Sequence, residues 1–356
     1  MSSFALLLPK IMKHIQMSTD QYNVLREGGI CLLCGGKQIL IGDNCPGYME
    51  GEMFVITECT KCGVGEASPK RNAGDLYNII YSDVTRVPGY ARYAQYGDSV
   101  LLAKNPLRYL ADSEECYLGV DHFLKEVDAK ARQLVIVEIG SGLGYLTYSL
   151  NCAGYRATGL DCSPVAVGSA RARYGANYVC ADIGEYAKQH AGTADIVILT
   201  EVIEHIENPL EFLASALQLL RNRGQLILST PNKSLYPQGS VWESELPPIH
   251  WWWFTESSMI KMAERLGCRA KFVDLTDFNR VKERYISHGG SPRQSVLRAN
   301  GSVKNPAWAG GLPAFAKRFM HSVGRVRVAR KLVRLLKRGV ALQSRGTTIC
   351  ALYTKE

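Results

Sequence analysis

The chain has 356 residues, 46% hydrophobic and 21% charged, with a formal net charge of +9. That supports a real core for a catalytic domain plus a smaller addition, and no run reaches the roughly 18 apolar residues of a membrane span. Eleven cysteines, an odd number, behind a short apolar run (Phe4–Leu8) that stops at Pro9 without a cleavage site, argue against export and a disulfide framework and for a reducing, cytoplasmic compartment.

In chain order, residues 1–26 read as a lead-in. Residues 27–66 are rich in Gly and Cys. Cys31-Leu32-Leu33-Cys34-Gly35 and Cys59-Thr60-Lys61-Cys62-Gly63 form a matched pair of C-x-x-C turns. Two such turns can aim four thiolates at one tetrahedral centre, and glycine after each second Cys suits a tight knuckle. Cys31, Cys34, Cys59 and Cys62 are therefore expected to hold a structural zinc, with no coordination position open for catalysis. Residues 67–130 read as an irregular connector, rich in tyrosine to about residue 112, and then a helix over 113–130. Tyr81, Tyr90, Tyr93 and Tyr96 are candidates for a lid, and spacing does not choose among them.

From residue 133 short apolar strands alternate with helices. Strands are expected at 134–137, 156–160, 177–180, 195–199 and 225–229. Helices are expected at 143–153, 164–174, 209–220 and 255–266, followed by a strand at 270–275. Such alternation implies a parallel sheet covered on both faces. A last strand at 347–353 is expected to pair antiparallel with the one ending near Leu275, with a segment inserted between them. From Arg280 to Arg345 that segment carries sixteen Lys or Arg and one acid, a net +15, so the rest of the chain is net −6. Apolar residues recur at helical spacing among the basic ones over 314–340. This reads as one or two basic amphipathic helices, which would pack on the body, lie on an anionic membrane surface or contact RNA phosphates.

The sharpest motif is Glu138-Ile139-Gly140-Ser141-Gly142-Leu143-Gly144, between a strand and a helix. Its spacing, G-x-G-x-G, differs from the dinucleotide pattern, which would need glycine where Tyr145 stands. Asp161 ends the next strand, where a carboxylate can accept both hydroxyls of a ribose. Asp182 follows the third strand. After the fourth strand comes Glu201-Val202-Ile203-Glu204-His205. If that turn is helical, Glu201, Glu204 and His205 converge, a donor set suited to Mg²⁺, Mn²⁺ or Fe²⁺; alternatively His205 is a general base. His250 is a candidate to complete the site. Trp242 and Trp251–Phe254 are expected to pack a long loop onto the core.

The motifs VEIGSGLG, GLD, CADI and DIVILTEVIEHIENP resemble those of class I S-adenosylmethionine-dependent methyltransferases, especially the branch with the ubiquinone-pathway O-methyltransferases. The likeness covers about residues 131–278 and the terminal strand. It implies an α/β, Rossmann-like seven-stranded sheet with an antiparallel last strand, beside the small N-terminal zinc ribbon. The domain plan is then 1–26 lead-in, 27–66 ribbon, 67–130 connector and cap helix, and 131–356 catalytic domain with the basic insertion at about 279–346. The resemblance also implies that Gly140, Gly142 and Gly144 pass close to the methionine part of the cofactor. In it Glu138 braces the loop, Asp161 holds the ribose, Asp182 with Ile183 frames the adenine, and Glu201 lines the pocket. Glu204, His205 and His250 stand as the catalytic candidates, with Glu201, Glu204 and His205 also a candidate set for Mg²⁺ or Mn²⁺. The favoured function is O-methylation of a small metabolite or glycan precursor. RNA methylation and a non-catalytic zinc-ribbon scaffold are the rivals.

Overall fold

The computed structural model describes residues 29–71, 73–127, 133–241, 246–276, 278, 294–304 and 346–356. The lead-in, Trp242 and the basic stretch 314–340 lie outside the described residues.

The cysteine-rich region forms three antiparallel strands, β1 (Gln38–Pro46), β2 (Met53–Cys59) and β3 (Gly65–Ser68). The connector expected to be irregular is instead helical: α1 (Gly74–Ser82), α2 (Ala91–Val100) and α3 (Pro106–Ser113) lead into α4 (Glu115–Val127). Leu76, Ile80, Val100, Leu107 and Leu110 turn inward on these helices. Half-buried tyrosines widen each buried stripe, which hides the 3.6-residue period of the aliphatic residues alone. Asn105 caps α3, its side chain accepting from the Arg108 amide, with Pro106 in the first turn.

The catalytic-sized domain then runs β4 (Val135–Ile139), α5 (Tyr145–Cys152), β5 (Arg156–Asp161), α6 (Pro164–Tyr174), β6 (Tyr178–Cys180), α7 (Ile183–His190), β7 (Ala194–Thr200), α8 (Pro209–Gln218), β8 (Leu220–Pro231), β9 (Trp252–Trp253), α9 (Glu256–Arg265), β10 (Cys268–Phe272) and β11 (Thr348–Lys355). Helix α7 has no counterpart in the sequence reading; its two turns bury only Ile183 and Ala187.

Seven strands form one sheet in the order β10-β11-β8-β7-β4-β5-β6. β4 to β8 are parallel, and β11 runs antiparallel to both β8 and β10. β11 pairs with β10, as the hairpin expectation had it. Alternate strand residues feed two cores. Val137, Ile139, Val197, Leu199, Leu226 and Leu228 face one side. Ile136, Ile196, Ile198 and Ile227 face the other, against Leu110, Val120, Phe123 and Leu146. Both faces are buried, so the strands read as apolar runs.

The module does not end at residue 66. β3 runs to Ser68 and pairs antiparallel with β9, making a four-stranded sheet β1-β2-β3-β9. Leu33, Phe54, Val64 and Ala67 share a core with Trp251–Phe254 and the sheet's own Leu199 and Leu226. Lys233 and Glu58, 3% and 2% exposed, form a buried ion pair across this junction.

Candidate functional site

The order of the sheet reverses between β4 and β7, and open α/β sheets place ligands at such a switch point, beyond the carboxyl ends of the strands. The glycine loop leaves β4 there. Gly140, Gly142 and Gly144 have φ of 72°, 50° and 82°, values that L side chains rarely adopt. Space is also closed: a Cβ at Gly140 would meet the Val202 side chain at 2.5 Å, and one at Gly144 would meet Ala170 and Tyr178 at 2.7 Å. Asp161, at the end of β5, accepts from the Gly142 amide at 2.8 Å and from the Ser163 amide at 2.8 Å. It is 8% exposed, and burial raises its pKa against the pull of those two amides. Two anchored oxygens keep lone pairs for further donors.

Glu138, near the end of β4, is buried and accepts from Thr147 Oγ1 of α5. Burial pushes its carboxyl up to about 8. Asp182 caps α7, its carboxylate accepting from the Gly184 amide at 2.8 Å and the Glu185 amide. Its side chain is thereby committed to the helix, and the adjacent Ile183 is buried.

The Glu201–His205 turn differs from the helical expectation. Glu201 sits at φ 55°, and only Ile203–His205 forms one turn of 3-10 helix. Glu201 therefore leaves the line of its neighbours. Its carboxylate accepts from Ser229 Oγ at 2.9 Å, and burial raises it to about 7. The group that does converge is Glu204, His205 and His250, with ligand atoms within 4.8 Å of one another. The two imidazole rings are 4.8 Å apart, edge to face. His205 Nδ1 lies 2.6 Å from the Ile249 carbonyl oxygen, which can only accept, so Nδ1 carries the proton and donates. Nε2 then carries the lone pair and lies 3.9 Å from Glu204 Oε1. Burial pulls His205 down to about 4 and His250 well below the ordinary imidazole value. Both rings are neutral near pH 7, the form that accepts a proton or binds a metal.

Cys31, Cys34, Cys59 and Cys62 also come together, with their sulfurs within 4.8 Å of one another. The Cys31–Cys62 and Cys34–Cys59 pairs are 3.8 Å and 3.4 Å apart. A tetrahedron with Zn–S of ~2.3 Å has edges of ~3.8 Å, so the spacing fits zinc and is far too long for a disulfide. The Lys61 and Cys62 amides donate to Cys59 Sγ at 3.4 and 3.5 Å, and Gly35 and Gly63 take φ of 68° and 72° at the knuckles.

Sequence reasoning missed the role of α1. One turn apart on that helix, Tyr77 packs edge to face on His205, ring centroids 5.7 Å apart, and Tyr81 brings its hydroxyl to 3.1 Å from where a Cβ of Gly142 would stand. Of the four tyrosines considered for a lid, Tyr81 is the one against the glycine loop. No sequence signal would have chosen it, because Tyr90, Tyr93 and Tyr96 also recur at helical spacing.

Residues 108–270 match a family model described as a methyltransferase domain. Over 104 residues the chain is 38% identical to the ubiquinone biosynthesis O-methyltransferase of Aromatoleum aromaticum, covering 28% of this chain and 44% of that protein. Over 164 residues it is 30% identical to the protein of the same name from Escherichia fergusonii, covering 43% and 64%. The chain thus spans less than two thirds of the length of these relatives. A solved SAM dependent methyltransferase from Archaeoglobus fulgidus is 15% identical over 66% of this chain and 93% of that one, with a TM-score of 0.40.

Proposed function

We propose that this chain, residues 108–270 of which match a methyltransferase-domain model, is a class I methyltransferase that uses S-adenosylmethionine to methylate a hydroxyl oxygen of a small molecule. The observation that carries the reading is Asp161, whose buried carboxylate is clasped by the Gly142 and Ser163 amides at the switch point of the sheet. The glycine loop admits backbone close to a ligand, and the carboxylate suits a ribose diol. When bound, the cofactor would supply a methyl group on a sulfonium, which leaves as a neutral thioether while the acceptor oxygen bonds the methyl carbon. Glu138, which accepts from Thr147 of α5, would hold the start of that helix behind the loop, and Ile183 would frame the adenine.

The chain's own task is then to hold the acceptor and take its proton. His205 Nε2 is the accepting atom, its ring fixed by Ile249 and Tyr77. At a pKa of about 4 it is a weak base, so the acceptor hydroxyl must itself be acidic or be made so. In the competing reading His205 is a ligand and not the base: Glu204, His205 and His250 supply one carboxylate and two neutral imidazoles, a set that suits Mn²⁺ or Fe²⁺ better than Mg²⁺. Such a cation would lower the pKa of the hydroxyl it holds. The four-cysteine centre would hold a structural zinc. The relatives' name, ubiquinone biosynthesis O-methyltransferase, favours oxygen as the methylated atom.

The test is calorimetry with S-adenosylmethionine, followed by a mass-spectrometric search of cell extract for molecules that gain one methyl group. Wild type should bind, and Asp161→Ala should bind at least about 100-fold more weakly. Equal binding by both proteins would sink the ribose assignment, and no binding by wild type would sink the cofactor reading.

A further inference from the structure

We infer that the four-cysteine module is a positioning part of the Glu204–His205–His250 site: its third strand fixes the segment that carries His250 and clasps the Glu204–His205 turn. The inference rests on the reading of that cluster as the acceptor side of the site.

The segment 247–253 lies between two partners. On one side it is bonded to the module. The Tyr48 amide donates to the Pro247 carbonyl at 2.7 Å, the Ala67 amide donates to the Trp251 carbonyl at 2.9 Å, and Gly65 and Glu66 pair with Trp253 and Trp252. On the other side it is bonded to the turn. The Trp251 amide donates to the Glu204 carbonyl at 2.8 Å. Trp252 Nε1 donates to the Ile206 carbonyl at 2.8 Å. His205 Nδ1 donates to the Ile249 carbonyl at 2.6 Å. Every residue from Glu204 to Ile206 is therefore tied to this segment, and Trp251 is tied to both sides at once.

The sulfur centre sits at the base of the same module. Cys59 ends β2, the strand that pairs with β3. Cys62 lies three residues before Gly65, and its carbonyl accepts from Thr255 Oγ1, just beyond β9. The Trp252 ring is also covered by Lys70, whose ammonium lies 3.6 Å from the ring centroid and pairs with Glu66 of β3. β3 is only four residues long and pairs with the last residues of β2 before Cys59, so the knuckle Cys59–Gly63 that joins the two strands holds its start in register. Loss of a thiolate frees β3, then β9, then the backbone that places His250 and His205. The glycine loop and Asp161 hang on β4 and β5, which do not pair with this sheet.

The experiment is hydrogen–deuterium exchange on the full chain, comparing wild type, Cys62→Ser and Cys62→His, with zinc content measured for each. The histidine variant keeps a ligand type that zinc accepts. Expected for Cys62→Ser are zinc loss and exchange at least about tenfold faster in 204–206 and 249–253 as well as in 59–68, with 136–144 and 156–161 unchanged. S-adenosylmethionine binding by calorimetry should stay within about threefold, and methyl transfer should fall in kcat with little change in cofactor KM. Cys62→His should restore zinc and protection. Three results would overturn the inference: zinc absent from wild type, opening confined to 59–68, or opening that spreads through β4 and β5 as well. If wild type fails to bind the cofactor, the enzymatic reading falls while the exchange pattern still decides the coupling.

Discussion

At the scale of single residues, burial sets the chemistry of the site. Desolvation is the leading cause of the shifts at Asp161, Glu138, Glu201, His205 and His250. For the histidines it selects the neutral ring. For Glu138 it selects the protonated acid, with a consequence for stability. The folded pKa is about 8 against an ordinary 4.5, so the folded state holds a proton that the unfolded chain releases. That contribution is complete below about pH 4.5 and is lost as pH rises through 8. Glu138→Gln keeps a neutral group of the same shape. It should flatten the pH dependence of unfolding between 4.5 and 8, gaining up to ~4 kcal/mol on wild type by pH 8 in denaturant titrations. A variant whose pH profile stays parallel to wild type would show that Glu138 is ionised in the fold.

At the scale of elements, caps and turns join the site to its supports. Thr255 accepts from the Ser258 amide as the N-cap of α9, within a capping box, and its hydroxyl also donates to the Cys62 carbonyl. One side chain thus starts a helix and holds a cysteine knuckle. Thr255→Ala should cost about 1–2 kcal/mol in chemical denaturation, and Thr255→Ser, which keeps both bonds, less than about 1 kcal/mol. Equal losses would place the effect in the methyl group rather than in the two hydrogen bonds. The Glu201–His205 turn shows the opposite case, where local expectation fails. A regular helix would have brought Glu201 onto the line of Glu204 and His205. The left-handed backbone at Glu201, anchored by Ser229 from β8, turns that carboxylate away and leaves the vacated side to His250.

At the scale of the whole molecule, the module shares the core on one face of the seven-stranded sheet. The buried Lys233–Glu58 pair crosses the junction, and Glu58 also accepts from the Gly239 amide at 3.2 Å. Lys233→Met would leave a buried carboxylate without its cation and should cost about 3–5 kcal/mol. The double variant Lys233→Met with Glu58→Gln should recover most of that loss. A double variant as unstable as the single one would show that shape, not charge, governs the junction. Among the described residues, no helix is long and apolar enough to cross a membrane.

The sequence by itself determined the alternating strands and helices, the glycine loop with Asp161 one strand later, the antiparallel return of the last strand, and the four cysteines. Each is written in local spacing, which fixes backbone geometry over a few residues. Only the tertiary structure decided that the connector is helical, that Tyr81 faces the loop, that His250 joins Glu204 and His205 in place of Glu201, and that the module shares a sheet with the loop carrying His250. Those outcomes depend on pairings between segments 40 to 190 residues apart, where packing and hydrogen-bond partners, not periodicity, choose the arrangement.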